Sequence, residues 1–574
     1  MLGDIDESGQ TPGKKSKETE SLYAYTSNYF SDAYALVPEI GEGQRWYDSP
    51  YRILDKVARS RARSLIPGPG RRVLSRAINR LECYNEFDRY LAWSRDDTFH
   101  NVKVPNSEHV KIPALWAVEL FPPSQFDRLL KAINENSWDH KRALYGLGDE
   151  SREMLERSRA GNGWAWWRLG DVVNRDSKRH LPDSQRQKLS YFFESIELIA
   201  MRIGPGLTAV LAYFQLTKIA SDLLDDSWHA DHGPSLIHQH GVLRVEDRMW
   251  SKCRKTQEAR LSLHMAAREW LSNTCPGAFS EAGKQQPVID LLLLEEHDPT
   301  LGERTDRELG DALRAIGLTE SATVHRSSEY LPGLLLEPVD ERMCPALAGR
   351  PTWALWGQRT KVAVSAIRDI SVYGLEQVNA ISYMVNQIAR NFFVSLAISE
   401  LLRLSEERYA ALRDSAKTQH GHFKGRHLAR LRETFLTLSL DLTSTYRDIQ
   451  HFNTSSNGEY DITFTMTEAP WITKEREAAG DTDRREIDLV KNMKEKQIES
   501  AEKLVSSDND YRDIMSTVAS LWASSDTFKI GRLALWVSLT SLLVALLVAD
   551  YSGDLIVVHI WKWLVHISSH HHVK

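Results

Sequence analysis

Residues 533–549 read LALWVSLTSLLVALLVA, seventeen positions without a charge. Seven are Leu (Leu533, Leu535, Leu539, Leu542, Leu543, Leu546 and Leu547) and three are Val (Val537, Val544 and Val548). At 1.5 Å rise per residue the stretch covers about 26 Å, near the lower limit for a hydrocarbon core of roughly 30 Å. Ten Leu or Val at about −0.3 to −0.6 kcal/mol each outweigh the cost of Ser538, Thr540 and Ser541 on an insertion scale. The stretch therefore predicts a membrane-spanning helix from Leu533 to Ala549. Lys529 and Arg532 precede it and Asp550 and Asp554 follow it, which places the long N-terminal body on the cytosolic side.

Residues 555–567 read LIVVHIWKWLVHI. His559, Lys562, His566 and then His570 recur at spacings of three and four, so a helix here is amphipathic. It either returns across the bilayer with its polar stripe against the first span, or lies in the interface with Trp561 and Trp563 at headgroup depth.

The body must hold more than one folded unit, because the chain has 574 residues and single cores stop growing near 250 to 300. Its 42% hydrophobic and 26% charged residues are those of a globular chain, and 17 Trp supply large apolar surfaces. A net charge of −6 makes no overall case for nucleic acid. Cys83, Cys253, Cys275 and Cys344 lie far apart, which argues against a disulfide framework or a cysteine zinc site and for a reducing compartment.

Residues 1–21 read as a solvated tail without the apolar core of a secretory signal. A basic helical region follows over 22–110. Within it, Lys56 to Arg80 holds eight basic residues and no acidic one, and Arg72, Arg76 and Arg80 share a helical face suited to anionic lipid, to RNA or to solvent. Residues 111–370 form the expected α/β body: a strand from Ala114, a helix from about Ser124 to Asn136, a strand over Gly163 to Val173, and strands Ser195 to Ile203 and Leu207 to Leu216 flanking Gly204-Pro205-Gly206 as a hairpin. A helix from Thr217 to about Trp228 and strands Val288 to Leu294 and Thr352 to Gly357 complete it. The order suggests an α+β fold with a small mixed sheet, ferredoxin-like in its simplest arrangement, and helices on one face.

Beyond it, residues 371–470 carry apolar positions at three-to-four spacing over Leu375 to Asp414 and Arg426 to Phe452, which predicts an antiparallel helical pair. A stalk helix over 480–530 fits a heptad through Ile487, Val490, Ala501, Leu504, Tyr511, Met515, Val518 and Trp522, broken at Lys494, Gln497, Asp508 and Ser525. Its partner is either the same chain or a second copy in a homo-oligomer. The membrane helix (533–549) and the amphipathic segment (555–569) end the chain.

The common signatures of phosphate cradles, zinc hydrolases, nucleophile elbows and calcium loops are absent. The densest run of candidate ligands is Asp225, Asp226, His229, Asp231 and His232, followed by His238 and His240. Imidazole and carboxylate together hold divalent metals and activate water, and Asp225 with His229 at i, i+4 shares a helical face. A solvated loop is the competing reading, since Gly233-Pro234 ends the element directly afterwards. Glu295-Glu296 and Glu406-Glu407 are adjacent pairs that point apart, so paired acid-base work is not indicated.

In layout the chain resembles the CorA-like magnesium channels: a large α/β domain, a long helix and two C-terminal hydrophobic segments. That resemblance implies an oligomeric channel. The family carries Gly-Met-Asn just after its first span, whereas this chain has Tyr551-Ser552-Gly553-Asp554, so no pore residue carries over. Three functions therefore compete: a membrane-anchored partner-binding or sensing protein, a channel or transporter, and a metal-dependent hydrolase using His229, His232, His238 or His240.

Overall fold

The computed structural model describes residues 36–92, 101–138, 151–161, 166–178, 184–239, 241–301, 306–319, 323–339, 351–419, 425–454, 462–481, 486–548, 559–563 and 566. It divides into two compact units, residues 1–417 with 440–501, and residues 418–439 with 502–574.

The first unit is built on one sheet. In chain order its strands are β1 (Val110–Phe121), β2 (Trp166–Asn174), β3 (Gln185–Gln187), β4 (Phe193–Arg202) and β5 (Thr208–Leu216). A separate hairpin of β6 (Ser235–Gln239) and β7 (Val242–Glu246) follows, then β8 (Val288–Leu294), β9 (Val324–Ser327), β10 (Leu335–Pro338), β11 (Thr352–Gln358), β12 (Thr465–Glu468) and β13 (Ile487–Asp488). The sheet has 11 strands in the order β13-β12-β9-β10-β11-β8-β1-β5-β4-β2-β3. Pairing is antiparallel except for β8 with β11 and β2 with β3.

This overturns the expectation of a small, ferredoxin-like α+β sheet: the fold is α/β with a large mixed sheet. Two physical causes hid it. β1 is buried at eleven of its twelve positions, on both faces, so it lacks the period-two alternation of a half-exposed strand. β3, β9, β10, β12 and β13 are two to four residues long and extend the sheet at its edges, where a single sequence leaves almost no periodic signal.

Helices cover both faces. Leu115, Ala117 and Phe121 of β1 pack with Leu224 and Trp228 of the Lys218–His229 helix and with Leu263 and Ala267 of the Arg248–Thr274 helix. On the other face Trp116 stacks on Tyr213 and meets the tilted ring of Phe393, and its Nε1–H donates to Asn386 Oδ1 at 3.1 Å. The β4–β5 hairpin forms as expected around Gly204 and Gly206, for a reason beyond turn chemistry. A Cβ on Gly204 would stand 2.2 Å from Asp448 Cγ, and one on Gly206 1.8 Å from Ser444 Oγ. The loop is pressed onto the Gly425–Thr454 helix, where the Gly206 N–H donates to Asp448 Oδ2 at 2.6 Å.

The expected long helix over Leu375 to Asp414 is two helices, Gln377–Ile388 and Arg390–Gln419. The stalk is longer than expected, a 60-residue helix from Leu489 to Val548. Gln497, which breaks the heptad on paper, is buried: its Nε2 donates to Ser395 O at 2.7 Å and Ser399 Oγ at 2.8 Å, and its Oε1 accepts from Asn453 at 2.9 Å. With Val490 and Ala501 it seats this part of the seam against its own chain. In the second unit, Asp508 likewise accepts from Ser439 Oγ at 2.7 Å and pairs with Arg512.

The membrane-spanning reading of Leu533 to Ala549 is corrected. Leu533, Leu535, Trp536, Val537, Leu539 and Leu542 lie exposed on the last part of the 60-residue helix. The described side chains end there, with those of 543–548 and residue Ala549 outside the described set. Among the described residues no helix is long and apolar enough to cross a membrane. The expected membrane placement, with the body facing the cytosol, falls with that span. Trp561 and Trp563 are exposed on a short helical piece, and most of 555–569 lies outside the described residues. The likeness to CorA-like channels is left with the order of sheet and long helices alone.

Candidate metal centre

The Lys218–His229 helix follows β5 directly and packs across β1, which brings the start of that strand over the last turn of the helix. Val110 N–H donates to Asp225 Oδ1 at 2.9 Å, and Ile112 N–H donates to Ser221 Oγ at 3.1 Å. Through these ties His109, one residue before β1, comes to lie beside Asp225 and His229. Its Nδ1 is 2.7 Å from Asp225 Oδ2, and its ring sits 5.0 Å from that of His229, centroid to centroid.

The hydrogen-bond partners assign both tautomers. His229 Nδ1 faces the Asp225 carbonyl oxygen at 3.0 Å and its carboxylate Oδ1 at 3.5 Å. Both are acceptors, so Nδ1 carries the proton and Nε2 keeps its lone pair. That Nε2 is buried and has no hydrogen-bond partner. His109 Nδ1 faces a carboxylate oxygen, so its Nε2 also keeps a lone pair, on a side chain 49% exposed. One ligand atom from each of His109, Asp225 and His229 lies within 4.8 Å of the others. In both rings the nitrogen that faces the Asp225 carboxylate is Nδ1, at 2.7 and 3.5 Å, so a cation entering among the three would take the place of the protons on those nitrogens. Half exposure of His109 leaves room for water in a further position, as in open metal sites.

The other sequence candidates go elsewhere. His232 donates Nε2–H to Ser227 O at 2.8 Å, and burial pushes its pKa down despite that bond. His238 lies on β6, opposite Leu243 of the separate hairpin. His240 is outside the described residues. Arg72, Arg76 and Arg80 are exposed on the Gly68–Ala92 helix. Sequence reasoning therefore found two of the three clustered residues. It missed His109, which lies 116 positions from Asp225.

Two other polar groupings sit in the same unit. Arg260 donates from Nε and Nη2 to Asp290 at 2.6 and 2.7 Å, and from Nη1 to Ile316 O at 2.7 Å, while His264 Nε2 stands 2.7 Å from Asp290 Oδ2. All three side chains are 0% exposed. Burial pushes the Asp290 carboxyl up, but the Arg260 charge and the hydrogen bonds of His264 and Arg260 outweigh it and hold the carboxyl well below its usual range. Burial pushes His264 down and keeps it neutral. On the opposite sheet face, a concavity of about 270 Å³ is lined by Arg168, Asp171, Glu197, Gln215 and Asn379 among others. Arg168 is spent on Asp171 at 2.6 Å and Glu197 at 3.2 Å, and Gln215 on Ser195 and Asn379.

Comparison of the chain with protein-family models, with curated proteins and with solved structures returned no match.

Proposed function

We propose that this chain binds a divalent transition metal through His109, Asp225 and His229, leaving an open position for water or a small ligand. The observation that carries the reading is the convergence itself: a nitrogen of each imidazole and an oxygen of the Asp225 carboxylate lie within 4.8 Å of one another, with His109 Nδ1 2.7 Å and His229 Nδ1 3.5 Å from that carboxylate. An imidazole and carboxylate donor set favours zinc, cobalt or iron over magnesium or calcium, which prefer oxygen ligands alone. Tetrahedral coordination at about 2.1 Å needs ligand edges of about 3.4 Å. The observed span, within 4.8 Å, closes to that on binding.

Cobalt(II) titration of the full chain, freed of metal by chelation, tests this. One equivalent should produce visible d–d absorption that zinc abolishes by competition. No absorption, together with no zinc retained on equilibrium dialysis, would reduce the cluster to a hydrogen-bonded tie between β1 and its helix.

A further inference from the structure

Residues 60–80 form a second feature, independent of the metal centre. A 3-10 turn, Arg61–Leu65, precedes the Gly68–Ala92 helix. Ser60 Oγ caps the turn by accepting from Ala62 N–H at 3.2 Å. Arg71 then folds back from the first turn of the helix, donating Nε–H to Ile66 O at 2.8 Å and Nη2–H to Ser64 O at 3.2 Å. The turn is thereby fixed against the helix. Farther along, Leu81 and Cys83 are buried, and the Cys83 thiol donates to Leu243 O of β7 at 3.2 Å, which seats that side of the helix on the β6–β7 hairpin.

What remains outward is a cationic surface. Arg61, Arg63, Arg72, Arg76 and Arg80 are exposed, and among the described residues none makes an ion pair. Their neighbours show what pairing looks like in this region: Arg59 binds Asp55 at 2.8 Å, and Arg45 binds Asp88 at 2.7 Å. Arg72, Arg76 and Arg80 follow one another at i, i+4, a like-charge spacing that destabilises a helix until an anion relieves it. The chain as a whole is negative, at −6, so this patch opposes the charge of the molecule that carries it. Aliphatic side chains are exposed with the arginines: Leu65 is 84% and Val73 65% accessible.

These two chemistries select the occupant. Guanidinium forks bind carboxylate and phosphate alike in bidentate fashion. A polynucleotide on such a surface gains from aromatic faces on which bases stack. Residues 60–80 hold no aromatic side chain, and nearby Trp46 already packs edge-on against Tyr84 at 4.8 Å. Leu65 and Val73 instead offer aliphatic contacts, which an amphipathic helix with carboxylates beside its apolar stripe satisfies together with the arginines. We propose that this arginine face docks an acidic, leucine-bearing helical segment of a partner protein.

Fluorescence anisotropy with a labelled 20-residue peptide of repeating Glu-Glu-Leu-Leu tests the proposal, against the same peptide with Gln for Glu. Full-length protein should bind the acidic peptide, with affinity falling as salt rises. R72E/R76E/R80E should lose roughly tenfold or more, and L65S/V73S several-fold, with melting curves unchanged because all five side chains are exposed. Equal binding of both peptides, or an undiminished triple variant, would overturn it. So would tighter arginine-dependent binding of a 20-nucleotide oligouridine or of phosphatidylserine vesicles, which would assign the face to RNA or to lipid.

Discussion

Two clusters on the same side of the sheet use the same functional groups and do opposite things. Arg260, His264 and Asp290 are sealed at 0% exposure, and the carboxylate there is neutralised by a bidentate guanidinium. His109, Asp225 and His229 stand at the edge of the helical layer: among the described residues no guanidinium pairs with the carboxylate, His109 is half exposed, and the Nε2 of His229 is buried without a partner. Burial and counter-charge, not residue identity, separate a core tie from a ligand site: a histidine beside an aspartate is finished in one place and unfinished in the other.

The sharpest break comes from Arg260→Leu. It strands a buried carboxylate and the Ile316 carbonyl, and should cost about 3–5 kcal/mol in urea unfolding. Adding Asp290→Leu should recover a large part, since removing both charges is far cheaper than removing one. A loss under about 1 kcal/mol for the single variant would show that the sealed cluster does not hold the core.

In the open cluster, His229→Ala should weaken zinc binding about a hundredfold or more, and Asp225→Asn about 10- to 100-fold, read by competition against a chromophoric chelator. Neither should approach the stability loss of the Arg260 variant. Were His229→Ala to unfold the chain while zinc affinity held, the roles assigned to the two clusters would be exchanged.

A third contrast is in pH. His264 is held below its usual value, so as pH falls below about 6.5 the unfolded chain takes up a proton that the folded chain refuses, and stability declines by at most about 1.4 kcal/mol per pH unit. Asp290 adds its loss only in strong acid, below about pH 4, as protons reach its depressed carboxyl. His264→Gln should flatten the decline between pH 7 and 5. An unchanged slope would remove His264 from the account. The smallest effect belongs to His232→Ala, which should leave zinc affinity within about twofold because its Nε2 serves Ser227.

The comparison also marks how far the sequence could be read. Asp225 and His229 were legible because i, i+4 on a helix is a local rule. His109 was not, because only the register of β1 against that helix brings it there. His232 and His238 were drawn in by crowding along the chain, which says nothing about where a turn or a hairpin sends them. β8 was legible to the residue, since a fully buried run bounded by polar residues reads as a strand. The Arg248–Thr274 helix between β7 and β8 was missed for a definite reason. Arg248, Lys252, Thr256, Arg260, His264 and Arg268 recur every four residues and all turn inward, bonding to Val102 O, Ser227 O, Asp290 and Gln286 O among others. A helix that buries its polar stripe reverses the pattern by which helices are recognised. The membrane reading failed differently: it rested on hydropathy alone, and among the described residues no helix is long and apolar enough to cross a membrane.

The edge of the sheet has a temporal side. β9 pairs with β10 on one flank and β12 on the other, Ser327 opposite Thr465, so 138 residues separate the two partners along the chain. At about 5–20 residues per second of synthesis, roughly 7–28 s pass between the emergence of β9 and that of β12. For that interval a nascent chain presents a strand with one row of unpaired amides and carbonyls, a template for other strands. Ribosome-bound intermediates that end before residue 465 should therefore engage chaperones or aggregate more readily than those that extend past it.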